Sequence, residues 1–273
     1  MRRFSAIVLL ITGLALACGT DRPLRLATTT SVDSSGLLEP LLREFEATSG
    51  VAVDALAVGS GKAMQLLRRG DADLMITHDP AGERGFIDDV SPRIYRKLMC
   101  SRFIISGPSD DPARVSEAAS AVDAMERIAT SGKAFSSRGD RSGTHVRELE
   151  LWRLAETAPD SDVLVESGQG MAATLRIASE RNAYVLTDEA TFAHMRKSLD
   201  LEPLYSRDDP ALLNCYAVTV SSGPNEEEAL RLAEWLTRGE GRTIIGAFEI
   251  GGKQPFRVWP SGVPDHEPEF LPE

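Results

Sequence analysis

The sequence predicts an α/β protein with a largely parallel sheet. Short apolar runs alternate with amphipathic helical patterns along the 273 residues. The recurring unit is strand, loop, helix, an order that sets parallel strands side by side with helices on their faces. Glycines follow several helical runs, and glycine takes the left-handed conformation that closes a helix.

In chain order, residues 24–30 (LRLATTT) form a strand entering a loop. Residues 37–50 form a helix closed by Gly50, with Pro40 near the first turn, where a missing N–H does least harm. Residues 51–61 (VAVDALAVGSG) form a strand and a glycine-rich loop, 62–70 a helix ending at Gly70, and 72–80 (ADLMITHDP) a strand that stops at Pro80. Residues 102–113 are a strand and a proline-rich turn, and 115–132 a helix ending in glycine. Residues 134–155 (AFSSRGDRSGTHVRELELWRLA) give a strand, a polar loop and a helix, and residues 163–182 repeat that order. Residues 183–195 are a strand and a helix capped by Thr187 or Asp188, residues 213–223 (LNCYAVTVSSG) a strand, and 225–250 two short helices around the break at 239–241.

Hydrophobic content of 42% and charged content of 26% are ordinary for a globular protein. Net charge is −11, and no basic run tracks a phosphodiester backbone, so nucleic acid is not an expected partner. The negative total does not exclude an anionic ligand, because a site answers to local donors and dipoles.

Residues 1–17 read as an export signal. Arg2 and Arg3 precede an apolar core at 6–16, too short to span a bilayer permanently. Ala15, Leu16 and Ala17 fit a small-x-small cleavage site, and Cys18 after them fits a bacterial lipobox, with Ala15 where Leu is commoner. Both readings export the chain, to the periplasm or to a lipid anchor on the membrane surface; the lipoprotein is favoured. Cys100 and Cys215 remain. They either pair, as export permits, or serve as small buried thiols, and the residues alone leave both open.

Four loops share one design: residues 28–36, 59–61, 136–144 and 167–171. Each leaves a strand, offers hydroxyls or glycines, and opens a helix. A helix start carries unpaired N–H groups and partial positive charge, which suits an anion. In an open α/β sheet such loops cluster at the carboxyl ends of the strands. One of the four contains Arg138. Each also has a plainer reading. Ser34 or Ser35 starts a helix, Ser60 is a turn residue, and Arg138 is a solvated charge. The RGD at 138–140 is too short to signify adhesion. A hydrolase with Ser142 or Ser31 as nucleophile needs a base that no motif supplies: no Gly-x-Ser-x-Gly surrounds Ser142. His78, His145, His194 and His266 lack the spacing of a metal site, and His78 reads as a strand-end residue steadying its loop.

The run ATTTSVDSSGLLEPLLREFEATSGVAVDALAVGSGKAMQLLRRGDADLMITHDP resembles the N-terminal third of the tungstate-binding proteins of bacterial ABC importers. The similarity continues through SRGDRSGTHVRELELW, SGQGMAATL, LLNCYAV and GKQPF in the same order. It implies a two-lobed periplasmic binding protein of type II: each lobe a mixed, mostly parallel sheet flanked by helices, with a two-strand hinge. Lobe one would span 21–101 plus 215–273 and lobe two 102–214. The implied oxyanion donors are Thr29, Thr30, Ser31, Ser60, Arg138, Ser142, Gly143 and Thr144, with backbone N–H groups at Gly170 and Met171. The implied role is delivery of the anion to a membrane permease by a monomer without cofactor or catalysis. The chain departs from the pattern at Lys62, where Gln is usual, and at Cys100 and Cys215, where Tyr and Pro are usual. Lys62 adds charge near the cleft or only solvates its helix. Both cysteines fall beside the implied hinge strands, which brings a Cys100–Cys215 bridge level with the free-thiol alternative.

A fully deprotonated oxyanion only accepts hydrogen bonds, so tungstate or molybdate wants a site of donors. Hydrogen phosphate benefits from one acceptor. The four loops supply donors, which fits a proton-free oxyanion better than hydrogen phosphate; tungstate among such anions is what the resemblance implies, with molybdate, phosphate and sulfate as the alternatives. A sensor presenting the same ligand is the remaining alternative. Asp140 is expected to orient Arg138 or cap its helix; an inward Asp33 would favour phosphate.

Overall fold

A computed structural model describes residues 22–265. The export signal, Cys18 and His266 lie outside the described residues. Among these residues the strands and α-helices follow in the order β1 Leu24–Thr29, α1 Thr30–Ser34, α2 Leu38–Ser49, β2 Val53–Val58, α3 Ser60–Arg68, β3 Leu74–Thr77, α4 Pro80–Val90, β4 Ile94–Gly107, α5 Ala121–Ser131, β5 Phe135–Ser137, α6 Gly143–Leu154, β6 Leu164–Glu166, α7 Met171–Glu180, β7 Tyr184–Asp188, α8 Glu189–Met195, β8 Glu202–Tyr205, β9 Leu213–Val220, α9 Glu226–Arg238, α10 Glu240–Ala247 and β10 Arg257–Val258. Gly50 and Gly132 close α2 and α5 in the left-handed conformation, with φ of 72° and 65°.

The strand order is β2-β1-β3-β9-β4-β7-β5-β6, with β8 and β10 also paired to β4. Pairings of β1 with β2 and β3, and of β5 with β6 and β7, are parallel. Among these strands every antiparallel pairing involves β4 or β9. These two strands therefore form the middle of a mixed sheet and join its two halves. Strand β4 pairs with β9 from Ile94 to Arg102 and with β7 from Phe103 to Ser106, so one continuous strand serves both.

Each half is a sheet between helical layers. Period-two alternation sends Leu24 and Leu26 of β1 to one face and Ala27 to the other. On the first face Leu41 and Phe45 of α2, Leu232 and Leu236 of α9 and Ile245 of α10 complete a core. On the second, Ala63 and Leu67 of α3 and Phe86 of α4 do so. The other half buries Met125 and Ile128 of α5 with Leu151 and Trp152 of α6, and Leu175 of α7 with Phe192 of α8. Cys100 and Cys215 stand directly opposite in the β4–β9 register and are joined by a disulfide.

Several elements depart from the sequence reading, each for a local reason. Helix α4 follows the predicted stop at Pro80: proline occupies its first turn, where it is favoured, and Asp79 caps it by accepting from Gly82 N–H at 3.1 Å. Strand β4 begins at Ile94 rather than 102, because Arg96 and Lys97 interrupt its apolar pattern. Lys97 is nonetheless buried, 3.7 Å from the buried Glu83 carboxylate. The predicted helix at 115–132 divides into a 3-10 turn, Val115–Glu117, and α5, whose N-cap is Ser120. Strand β8, an edge strand containing Pro203, carries too little pattern to read. Residues Thr30–Ser34 form a helical turn where a loop is expected. Neither Ser34 nor Ser35 is the N-cap of α2: Leu37 takes that position, and Ser35 Oγ accepts the Leu37 N–H instead.

Candidate functional site

The starts of α1, α3, α6 and α7 meet where the two halves of the sheet face each other. Three approaches define the meeting. Arg138 Nη2, after β5, donates to Thr30 Oγ1 at 3.2 Å. A methyl group at Gly170, the N-cap of α7, would stand 3.7 Å from Thr30 side-chain carbons. One at Gly59, the N-cap of α3, would stand 3.5 Å from Ser142 Cα, the N-cap of α6. Gly143 lies so close to His78 that an added methyl would be 2.7 Å from both Cε1 and the carbonyl oxygen.

Arg138 occupies the centre of this meeting and is 1% exposed. Its Nε donates to Gln169 O at 3.2 Å, and Nη2 also pairs with Asp140. Asp140 in turn accepts from Ser142 N–H at 3.0 Å, so it holds the guanidinium and the turn before α6 together. Nη1 is buried and has no hydrogen-bond partner among the described residues. Thr144 Oγ1, in the first turn of α6, is likewise buried and unpartnered. Native proteins rarely leave such donors unpaired, because each costs about 1–3 kcal/mol when desolvated without a bond.

The remaining predicted residues fall around these donors. Thr29 and Ser31 are buried, with their hydroxyl oxygens 3.1 Å apart. Ser60 is buried at the start of α3 and its Oγ accepts from His78 N–H at 3.3 Å. Ser142 is buried and its Oγ accepts from His145 N–H at 3.4 Å. Met171 is fully buried at the start of α7. The histidine beside Ser142 turns its Nδ1 to Arg141 N–H, at 3.0 Å. Asp33 is exposed, and Lys62 is exposed on α3.

Two buried carboxyls sit behind Arg138. Asp188 caps α8, accepting from Thr191 N–H at 2.8 Å, while its Oδ2 is buried without a partner among the described residues. Burial raises it to about 6, opposed in part by the Thr191 hydrogen bonds and by Arg138. Glu148 of α6 is held by Ser137, Trp152 and the backbone N–H of Arg138, and burial raises it to about 7. The folded Glu148 carboxyl binds its proton more tightly than the ordinary 4.5. Its contribution to stability is therefore complete below about pH 4.5 and lost as pH rises through 7. The melting temperature of the native protein falls between pH 5 and 8, and Glu148→Gln shows a flatter profile. Parallel profiles in thermal melts contradict this assignment.

Three residues at the site carry no anion motif. His78, Asn214 and Tyr216 are buried, and burial depresses His78 to about 4, so its imidazole is neutral at ordinary pH. The available signal was a polar Asn214 inside the apolar run LLNCYAV. A groove of about 790 Å³ lies beside the cluster, lined by α4, α6 and the start of β9. Of the predicted anion donors only Gly143 is on its wall, so its location does not mark the site.

The PBP superfamily domain matches residues 19–240. The tungstate-binding protein TupA of Peptoclostridium acidaminophilum is 35% identical over 238 residues, covering 85% of this chain and 82% of that protein. The solved tungstate ABC transporter structure from Geobacter sulfurreducens is 36% identical with a TM-score of 0.76, covering 84% of this chain and 100% of that one. The tungstate-binding protein TupA from Desulfovibrio alaskensis G20 is 32% identical with a TM-score of 0.72, covering 87% and 99%.

Proposed function

Because the chain belongs to the PBP superfamily and, within it, to the tungstate-binding proteins, we propose that it binds a tetrahedral oxyanion, tungstate first, between its two lobes for delivery to an ABC permease. The observation that carries this reading is that Arg138 Nη1 and Thr144 Oγ1, at converging helix starts, are buried donors without a partner among the described residues. Tungstate accepts hydrogen bonds at all four oxygens and has no proton to give. Arg138 supplies the charge, Thr29, Thr30, Ser31, Ser60, Ser142 and Thr144 the hydroxyls, and Gly143, Gly170 and Met171 the backbone N–H groups. Charge-assisted bonds of about 1.5–3 kcal/mol each, in a site shut off from water, account for tight binding after ordering costs.

In this reading lobe one comprises 21–101 plus 215–273 and lobe two 102–214, and they close about β4 and β9. The Cys100–Cys215 bridge restrains those strands in register. The protein is an exported monomer, held to the membrane surface through Cys18, and performs no catalysis of its own: Ser142 has its oxygen engaged by a backbone N–H, and the neighbouring imidazole Nδ1 faces Arg141. Asp188 favours one second reading. A buried carboxyl oxygen near Arg138, Oδ2, that has no partner among the described residues suits hydrogen phosphate, which has a proton to donate. Calorimetry with tungstate, molybdate, phosphate and sulfate separates the two. Tungstate is expected to bind most tightly, with a dissociation constant below about 10 µM, roughly −7 kcal/mol. No binding below that value by any of the four anions overturns the oxyanion reading.

A further inference from the structure

We propose that a buried hydrogen-bond chain, His78–Asn214–Tyr216, fixes the direction of the Ser31 proton so that Ser31 presents a donor to the anion. This rests on the oxyanion reading above and names residues that determine its specificity. The chain is continuous. His78 Nδ1 and Asn214 Oδ1 are 2.7 Å apart; Asn214 Nδ2 donates to Tyr216 OH at 2.9 Å; Tyr216 OH donates to Ser31 Oγ at 3.0 Å. All four side chains are buried, at 4%, 2%, 0% and 0% exposure. The imidazole also stacks on the Tyr216 ring, with centroids 4.9 Å apart.

The polarity follows from the orientation of the Asn214 amide, whose Oδ1 faces His78 and whose Nδ2 faces Tyr216. Asn214 Oδ1 only accepts, so His78 Nδ1 carries the hydrogen. The Asn214 amide donates to the phenol oxygen, and Tyr216 has one proton, which goes to Ser31. Ser31 therefore receives a hydrogen bond from behind, and its own proton is directed elsewhere, to Thr29 Oγ1 at 3.1 Å or to the bound oxyanion. If the chain ran the other way, with Nε2 of His78 protonated and the amide turned over, Tyr216 would donate to Asn214. Ser31 would then spend its proton on Tyr216 and face the anion with lone pairs. One imidazole tautomer thus separates a donor from an acceptor at the anion. Burial keeps His78 neutral and the Tyr216 phenol protonated, so each carries one hydrogen, whose direction the amide of Asn214 sets. A donor at Ser31 favours a proton-free oxyanion over hydrogen phosphate, which gains from an acceptor.

Two measurements test this on the mature protein. The first is the ¹⁵N–¹H correlation spectrum of His78 in the wild type, which depends on no variant folding. The Nδ1–H tautomer is expected, and the Nε2–H tautomer overturns the proposal. The second is calorimetric titration with sodium tungstate and with inorganic phosphate. Asn214→Asp keeps the shape but offers acceptors only, so Tyr216 turns to it and Ser31 to Tyr216. Tungstate affinity is expected to fall at least tenfold and preference over phosphate to shrink. Tyr216→Phe alone leaves the Ser31 proton free to turn to Thr29 or to the anion, and tungstate affinity is expected to fall about three- to fivefold, less than in Asn214→Asp. Adding Tyr216→Phe to Asn214→Asp returns the Ser31 proton and recovers affinity, which a purely electrostatic effect of the new carboxylate would not permit. A double variant as weak as Asn214→Asp alone, or an Asn214→Asp with wild-type affinity and preference, overturns the chain. Failure of the wild type to bind any oxyanion instead removes the function on which it rests.

Discussion

Arg138→Ala is expected to weaken tungstate binding about a hundredfold or more, because two charge-assisted bonds of about 1.5–3 kcal/mol each are lost together with the site's formal charge. Nη1 is buried without a hydrogen-bond partner among the described residues, and Nη2 already reaches Thr30. Arg138→Lys keeps the charge but not the planar fork, and should fall between the two. Isothermal titration calorimetry measures all three, with circular dichroism to show that the fold persists. An Arg138→Ala affinity within threefold of wild type removes this residue from the site.

Gly143→Ala is expected to cost a comparable amount by a different route. The added methyl would meet His78 at 2.7 Å, against both ring and backbone oxygen. His78 belongs to the loop after β3 and Gly143 to the start of α6, elements of the two halves of the sheet that β9 and β4 join. Neither neighbour is a flexible side-chain end, so the clash is relieved by keeping the lobes apart. The variant should fold normally, lose at least a hundredfold in tungstate affinity, and show in small-angle scattering no contraction on adding tungstate. Wild-type affinity with normal contraction would show that the close approach is unimportant for closure.

The parts of the fold that were legible in the sequence are those where local pattern and packing agree. Leu24, Leu26 and Ala27 alternate on β1, and Gly50 and Gly132 end their helices. Elements that depend on distant partners were not legible. The charged start of β4 is stable in a buried strand because Glu83, on α4, meets Lys97. Helix α4 was hidden because proline stops one element and starts another equally well. At the site, the hydroxyl loops and Arg138 could be read because helix starts and hydroxyls have a chemical meaning in sequence. Asp140 was expected to orient Arg138 or cap its helix, and it pairs with the guanidinium. Asp188 read only as a helix cap, one of two choices. Its place near Arg138 is tertiary, as are the contacts of His78 with Asn214 and of Tyr216 with Ser31, whose partners stand 136 and 185 residues apart.

The most direct measurement of the central claim is anomalous diffraction at a tungsten absorption edge from crystals grown with tungstate. One strong peak is expected between the lobes, with the anion's oxygens within hydrogen-bond distance of Arg138 Nη1 and Thr144 Oγ1 and no carboxylate in contact. A peak in the groove between α4 and α6, with the Arg138 cluster empty, would contradict it.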